Sequence, residues 1–369
     1  MERAVNSSRG YTGGVPFYEK WTKSEGIPVI DGYYVEDLNK VPVEPWHRKG
    51  GLGAFVNLEG NEELNDAYVC EIAPGKSLKP QKHLYEEIIL ILSGKGTTAI
   101  WNETGSKQTV EWHEWSLFAI PLNVWHQHFN GQGDRPARYV AVTAAPMVFN
   151  MFHNLDFVFK NNFVFTDRYI GEPDYFTRGE FTAYPEAGRH GDNVWESNFI
   201  PDVRIIKLHP GVMRGGENRS QRMELANNTL SQHISEFDVG TYKKAHSHGP
   251  AANIVILNGT GYSLLWPEGK PHIKIDWHQG SMLVPPNRWL HQHFNTGPEP
   301  ARYLAIGIGT PSPKHPFGKI PPMGEDFSLG LGYGQIEYED EAPEIRKLFE
   351  EELRKKGVQI KMPPVKRRR

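Results

Sequence analysis

Apolar and polar positions change over in short bursts along most of this chain. AYVCEIAPG, from Ala67, alternates and ends at a Pro-Gly turn. EEIILILSGKG, from Glu86, is a continuous apolar run closed by glycines. TTAIW, WSLFAIP and ARYVAVTAAP follow, and the same style of segment returns in the second half. Period-2 alternation and brief apolar runs bounded by turn residues predict strands. Many short strands punctuated by Gly, Pro and Asn predict a closed all-β sandwich or barrel. Residues 1–50 lack periodicity but carry aromatic anchors (Tyr18, Trp21, Tyr33, Tyr34, Trp46) and prolines (Pro28, Pro42, Pro45). They read as an arm that packs across a neighbouring barrel or subunit. Residues 148–200 are rich in aromatics without a period of 2 or 3.6, and read as filler of a seam between barrels or as a lid over one pocket. Near the end, Ile345, Leu348, Phe349 and Leu353 have helical spacing, with Pro343 at the start and Gly357 past the end. They predict one short surface helix.

The chain repeats itself. At an offset of 165, Glu71 matches Glu236, Gly75 Gly240, His83 His248, Gly94 Gly259, Gly96 Gly261, Trp101 Trp266, Trp112 Trp277, His113 His278, Ser116 Ser281 and Pro121 Pro286. HQHFN occurs at 126–130 and again at 291–295, and PARY at 136 returns at 300 with one residue deleted. A single offset held over this distance is a duplicated domain. Barrels over 51–147 and 201–312, with a C-terminal extension over 313–369, complete the expected organisation.

Composition narrows the chemistry. The 369 residues carry a formal net charge of −3, so nothing global points to nucleic acid or an acidic membrane surface. The one cysteine, Cys70, rules out an intrachain disulfide and a cysteine-based zinc site, and its β-patterned surroundings predict a packed thiol. There is no phosphate loop of the GKS type and no GxSxG elbow. MERAVNSSRG lacks the apolar core of a signal peptide and no run of membrane-spanning length occurs, so a cytoplasmic protein is expected. The KRRR tail reads as a solvated end.

Two stretches of the second copy hold the candidate chemistry. GTYKKAHSH, Gly240 to His248, sets His246 and His248 two apart, so on a strand both rings face one way. PPNRWLHQHFN, Pro285 to Asn295, supplies His291 and then His293. Three or four converging imidazoles suit a divalent transition metal. His293 shares the face of His291 and is placed to act as acid or base or to orient a ligand, and His128 is its twin. By the same parity Tyr242 and Lys244 are expected toward the cavity, and Trp266 and Trp289 are candidates to stack an aromatic substrate. His113 and His278 lie in turns and read as structural.

These residues resemble the cupin superfamily in its two-domain form. Its first motif, a glycine, an H-x-H pair, then Glu and Gly, is met by Gly240, His246, His248 and Gly259, and in the first copy by Gly75, His83, Glu87 and Gly94. Its second motif, a proline, a His and a following Asn, is met by Pro286, His291 and Asn295, and by Pro121, Asn123, His126 and Asn130. The resemblance covers residues 65–147 and 230–310. It implies two tandem jelly-roll barrels, each a double-stranded β-helix. The copies depart from the pattern differently. In the second, the Glu position is Ala252, leaving three neutral imidazoles and open coordination positions. In the first, Gln81 replaces a histidine while Glu87 remains, so Gln81, His83, Glu87 and His126 form the candidate set. A decayed first site is the alternative, against which stands the cost of keeping Glu87 inside a barrel without a role.

The second copy is therefore the expected working site. The resemblance of its three-His set to gentisate-type dioxygenases implies a non-haem Fe(II) dioxygenase acting on a small, anionic, oxygenated or aromatic acid, with His293 handling protons. A redox-neutral Mn or Ni lyase, decarboxylase or isomerase using Glu87 or His293 as base is the alternative, and a non-enzymatic binding or storage protein the third reading. The arm and the family tendency imply a homo-oligomer.

Overall fold

A computed structural model describes residues 14–61, 64–103, 107–184, 193–211, 214–247, 252–309 and 334–366. Two antiparallel barrels lie side by side. In each, a large sheet turns one face to its own barrel and the other to the neighbouring barrel. The first large sheet centres on Gly51–Val56, Asp66–Ile72, Ala137–Thr143, Glu87–Ser93 and Leu117–Ile120, in that spatial order. A three-stranded sheet of Trp125–Asn130, Lys95–Trp101 and Gln108–His113 closes it. The second barrel repeats this with Arg219–Leu225, Leu230–Phe237, Ala301–Ile308, Ala252–Asn258 and Met282–Leu283, closed by Ile273–Trp277, Gly261–Trp266 and Leu290–Asn295.

This arrangement explains the continuous apolar run of Glu87–Ser93. Ile88, Leu90 and Leu92 join Val140, Val142, Val255, Leu257 and Leu304 in a core shared by the two barrels. Ile89 and Ile91 face the other way, among Tyr68, Cys70 and Tyr139 inside the first barrel. A strand buried on both faces has no polar side to show. Glu87, in step with Ile89, is thereby aimed into the barrel. Cys70 is a buried free thiol, as its pattern predicts.

Glycine is required where strands cross the closing sheet. A Cβ on Gly96 would lie 2.0 Å from the Phe129 carbonyl and 2.5 Å from the Trp112 ring; on Gly261 it would meet Phe294 and Trp277 at the same distances. The turns after Trp112 and Trp277 are closed by Ser116 and Ser281, whose hydroxyls accept from the His113 and His278 N–H groups. His113 ends its strand and His278 follows its strand directly, each anchoring the turn beyond it.

The repeat reaches further toward the N-terminus than the motifs suggest. Tyr34–Val35 pairs with Leu283 and Met282 of the second barrel, and Phe199–Ile200 pairs with Phe118 and Leu117 of the first. Both pairings are related by the offset of 165. The Ser281 hydroxyl donates to the Glu36 carbonyl, and its counterpart Ser116 to that of Pro201. The segment before each barrel thus adds a strand to the other barrel.

Four helices occur among the described residues. α1 (Phe17–Ser24), α2 (Ala145–Phe152) and α3 (Leu155–Lys160) meet at one end of the first barrel. Phe149 of α2 is fully buried against Tyr18, Trp21, Tyr85 and Phe159. α4 (Pro343–Lys356) ends on Gly357 in the left-handed conformation, with Ile345, Phe349 and Leu353 buried. No helix of the described residues is long and apolar enough to cross a membrane. The KRRR tail falls partly outside the described residues.

Candidate metal centre

Three predicted ligands of the first copy come together. One ligand atom each from His83, Glu87 and His126 lies within 4.8 Å of the others, and all three residues are buried. Glu87 opens a central strand, His126 sits on the closing sheet opposite, and His83 lies in the segment that leads from Asp66–Ile72 into the Glu87 strand. The Glu87 Oε2 atom is 3.5 Å from His83 Nε2 and 3.8 Å from His126 Nε2.

Hydrogen bonding fixes which atoms face the centre. His83 Nδ1 lies 2.8 Å from the Tyr85 carbonyl and His126 Nδ1 3.1 Å from that of Val124. A carbonyl only accepts, so each Nδ1 carries the proton and each Nε2 presents a lone pair. His83 Nε2, His126 Nε2 and Glu87 Oε2 have no hydrogen-bond partner among the described residues. Buried polar atoms are normally satisfied, so three orphaned donor atoms converging on one point fit a divalent cation, and the Nδ1–H to carbonyl arrangement is that of metal-ligating histidines. Gln81 is joined to His126 by two backbone hydrogen bonds, and its buried amide nitrogen also lacks a partner.

The other oxygen of Glu87 is held from behind. Tyr68 donates a short hydrogen bond to Oε1, Lys49 Nζ donates to the Tyr68 hydroxyl at 2.7 Å, and Lys49 Nζ is 3.9 Å from Oε1. Lys49 and Glu87 are 1% and 0% exposed. Burial alone pushes the Glu87 carboxyl up; the Lys49 ammonium is the chief opposing charge, and the group is held well below the usual carboxylate range. Burial, reinforced by His83, keeps His126 well below its ordinary value and therefore neutral.

His128 is held in the opposite tautomer. The Trp112 indole donates to Thr98 Oγ1 at 2.9 Å, and that hydroxyl lies 2.7 Å from His128 Nδ1. The hydroxyl accepts from the indole and gives its own proton to Nδ1, leaving the proton of the ring on Nε2. Burial lowers this imidazole to about 3. Trp277, Ser263 and His293 repeat the relay at 3.0 and 2.7 Å. His128 is thus a neutral hydrogen-bond donor toward its barrel, and His293 sits in the same hydrogen-bond relay.

The segment between the barrels walls this site. Tyr85 stacks on His83 at 3.7 Å between centroids, with Phe149 and Phe159 behind it. The Leu84 N–H donates to the Val158 carbonyl, Lys82 donates to Asn162, and Asn123 donates to the carbonyls of Asn161 and Phe163.

The second set is described through His246 and His291; His248 lies outside the described residues. Their ring centroids are 4.2 Å apart, and their Nδ1 atoms lie 2.9 and 3.2 Å from the carbonyls of Lys244 and Trp289, the same tautomer arrangement as in the first barrel.

The four candidate substrate contacts each have partners within the protein. Tyr242 is fully buried under α4, stacked on Phe294 and donating to Glu341, and Lys244 pairs with Glu337. Residues 240–247 are not a continuous strand but meet the sheet through isolated bridges at Tyr242 and His246, so strict alternation does not hold along them. Lys243 points inward instead. Trp266 belongs to the cluster beneath α4 and Trp289 packs on Tyr33 of the arm, so their visible contacts are structural.

Sequence reasoning missed Lys49, Tyr68, Arg214 and Lys243. A signal existed: Lys49-Gly50 and Arg214-Gly215 are a basic residue and glycine at the same offset of 165.

With fold and site in view, comparison with known proteins is informative. The family model described as Cupin domain matches residues 68–143, within the first barrel, and the second barrel repeats the same strand order and offset. Residues 68–143 therefore match a cupin domain, and the second barrel is an internal repeat of that fold. Auxin-binding protein 4 of Zea mays is 24% identical over 125 residues, spanning 32% of this chain and 61% of that protein, so the chain covers less than two thirds of its relative's length. Among solved structures, the oxalate decarboxylase of Lactobacillus farciminis in its formate complex is 14% identical, with a TM-score of 0.48 over 75% of this chain and 86% of its own. Bacillus subtilis oxalate decarboxylase, in a structure concerned with its Mn(II) centres, is 14% identical, with a TM-score of 0.47 over 82% and 86%.

Proposed function

We propose that this bicupin is a divalent-metal enzyme acting on a small oxygenated acid, with its working centre in the first barrel and redox-neutral chemistry of the lyase, decarboxylase or isomerase type. The supporting observation is the set of three orphaned, converging donor atoms on His83, Glu87 and His126. These residues would hold a manganese- or iron-class ion, with the Gln81 amide as candidate fourth ligand. When bound, such an ion acts as a Lewis acid on an oxygen of a chelating acid. The chain's own groups then serve proton transfer. His128 offers an N–H donor from Nε2, and Tyr68, backed by Lys49, keeps a hydroxyl proton against Glu87. A proton donor beside an ionised carboxylate is what a redox-neutral bond rearrangement needs.

A dioxygenase remains the second reading, favoured by the donor chemistry itself: two imidazoles and one carboxylate with open positions are the ligand set of non-haem Fe(II) oxygenases. The experiment is anaerobic metal loading followed by metal analysis and turnover of small hydroxy and oxo acids, with and without dioxygen. Loss of one metal equivalent in His83→Ala, with product formed without dioxygen, is expected. Turnover that consumes dioxygen and disappears in His246→Ala would replace this reading with a dioxygenase in the second barrel.

A further inference from the structure

We infer that the outer face of the sheet closing the first barrel is a binding platform for a flat, neutral oligosaccharide. The face lies outside both barrels and involves no metal. The second barrel shows how such a face is covered. There Tyr262, Leu264, Trp266, Leu290 and Phe294 are at most 5% exposed, packed beneath Phe349 and its neighbours on α4. Among the described residues no helix takes that place on the first barrel. Trp125, Gln127 and Phe129 pair across its closing sheet with Trp101, Ala99 and Thr97, and the last two pair in turn with Thr109 and Glu111. They alternate with the barrel-lining His126, His128 and Thr98, so they face outward. Trp101, Trp125 and Phe129 stay half-buried, and Thr109 and Glu111 are exposed.

This face differs from its counterpart in kind as well as in cover. Where the second barrel has Tyr242, Tyr262 and Leu264, the first has Ser77, Thr97 and Ala99, and where the second has Leu290 the first has Trp125. An amphipathic helix needs large apolar side chains beneath it, and three of them are absent. What is gained is a second indole. The Trp101 and Trp125 planes are 8° from parallel, with centroids 6.3 Å apart. Indoles edged by hydroxyl, amide and carboxylate groups suit a pyranose, which stacks a C–H face on a ring and turns its hydroxyls to the polar neighbours. Here those neighbours are Thr97, Thr109, Gln127 and Glu111. Exposed Lys107 lies over Trp101 at 4.6 Å, a weak contact that a stacking ligand displaces. Lys107 and Glu111 offset each other, so charge selects no polyanion. At one end the face opens into a cavity of about 450 Å³ lined by Lys95, Thr97, Glu111, His113 and Phe199. At the matching end of the second barrel Thr296 stands where the first has Gly131, and Lys356 of α4 donates to it at 2.8 Å. The 14 residues of α4 span about 20 Å at 1.5 Å each, and the open face offers that length to a short chain of sugars.

Cellohexaose, whose β linkages keep its rings in a flat ribbon, is the probe. Titrated into full-length protein and followed by calorimetry and tryptophan fluorescence, it should bind at one site per chain. Maltohexaose, which curls, should bind more weakly. Trp125→Ala should weaken cellohexaose binding at least tenfold. Thr97→Tyr with Ala99→Leu, which installs the second barrel's own residues, should abolish it while leaving the circular dichroism unchanged. His83→Ala should bind as the wild type does, which keeps this result separate from the metal experiment. Wild type that takes up no cellohexaose at millimolar concentration overturns the inference. So does undiminished binding in either face variant, equal binding of maltohexaose, or a loss that follows His83→Ala. A synthetic peptide of residues 341–358 that binds where cellohexaose does not would assign the face to a helical partner and overturn it as well.

Discussion

At the scale of residues, the site is a matter of where protons sit. His83 and His126 give their protons to carbonyls and face the centre with lone pairs, whereas His128, two positions along the same strand, receives a proton at Nδ1 and faces the barrel as a donor. The HQH of the sequence places both rings inward but does not say which is a ligand; that is decided by Val124 on one side and by Thr98 and Trp112 on the other. Glu87 was readable as costly without a role, but Lys49 and Tyr68 come from a turn and a strand that no motif marks. Tyr68→Phe removes the hydroxyl that steadies Oε1 and should weaken Mn(II) binding about tenfold or more, read by metal titration and by a changed Mn(II) resonance line shape, since partners behind a ligand typically matter at the 10–100-fold level. A buried neutral imidazole also makes stability depend on pH. With its folded value at about 3 and an unfolded value near 6.5, His128 stays neutral in the fold while the unfolded chain takes up a proton, so stability is full above about pH 6.5 and falls by about 1.4 kcal/mol per unit as pH drops toward 3. Urea midpoints measured at pH 7, 6 and 5 should decline, and less steeply in His128→Gln.

At the scale of elements, the strands of the two motifs were legible because their apolar runs are long and turn-bounded, and the C-terminal helix because Pro343 and Gly357 mark its ends. What was not legible was a pair of two-residue strands, Tyr34–Val35 and Phe199–Ile200, too short to carry a period. Around Tyr242 and Lys244 the chain leaves the sheet between isolated bridges, a break that alternation in the sequence does not reveal. The segment between the barrels was open between two roles and takes the part of a wall over the first site, through the stack of Phe149, Tyr85 and His83. Phe149→Ala should cost about 3–5 kcal/mol of stability, by denaturant unfolding, and quicken metal release to a chelator. The outer side of the same segment exposes Met151, Phe152 and Phe163. If the expected homo-oligomer uses this face, Phe152→Glu with Phe163→Glu should lower the sedimentation coefficient; an unchanged value would place the contact elsewhere.

At the scale of the whole molecule, the barrels are tied by more than their shared core. Glu86, next to the candidate ligand Glu87, accepts from the backbone of Thr229 and Leu230 in the second barrel and from Arg168. Reciprocally, Asn253 of the second barrel bonds Asn61 and Asn65 of the first. Glu86→Ala leaves two buried N–H groups without their acceptor and should lower stability by about 2–4 kcal/mol, with both barrels unfolding in one transition by calorimetry.

The crossed strands carry this further. Each half completes its neighbour with the segment that precedes its own barrel, an arrangement that makes sense for two separate copies trading their leading segments about a twofold axis. The chain has the layout of such a swapped pair written end to end. Lineages of this kind are expected to retain single-barrel cousins that exist only as dimers.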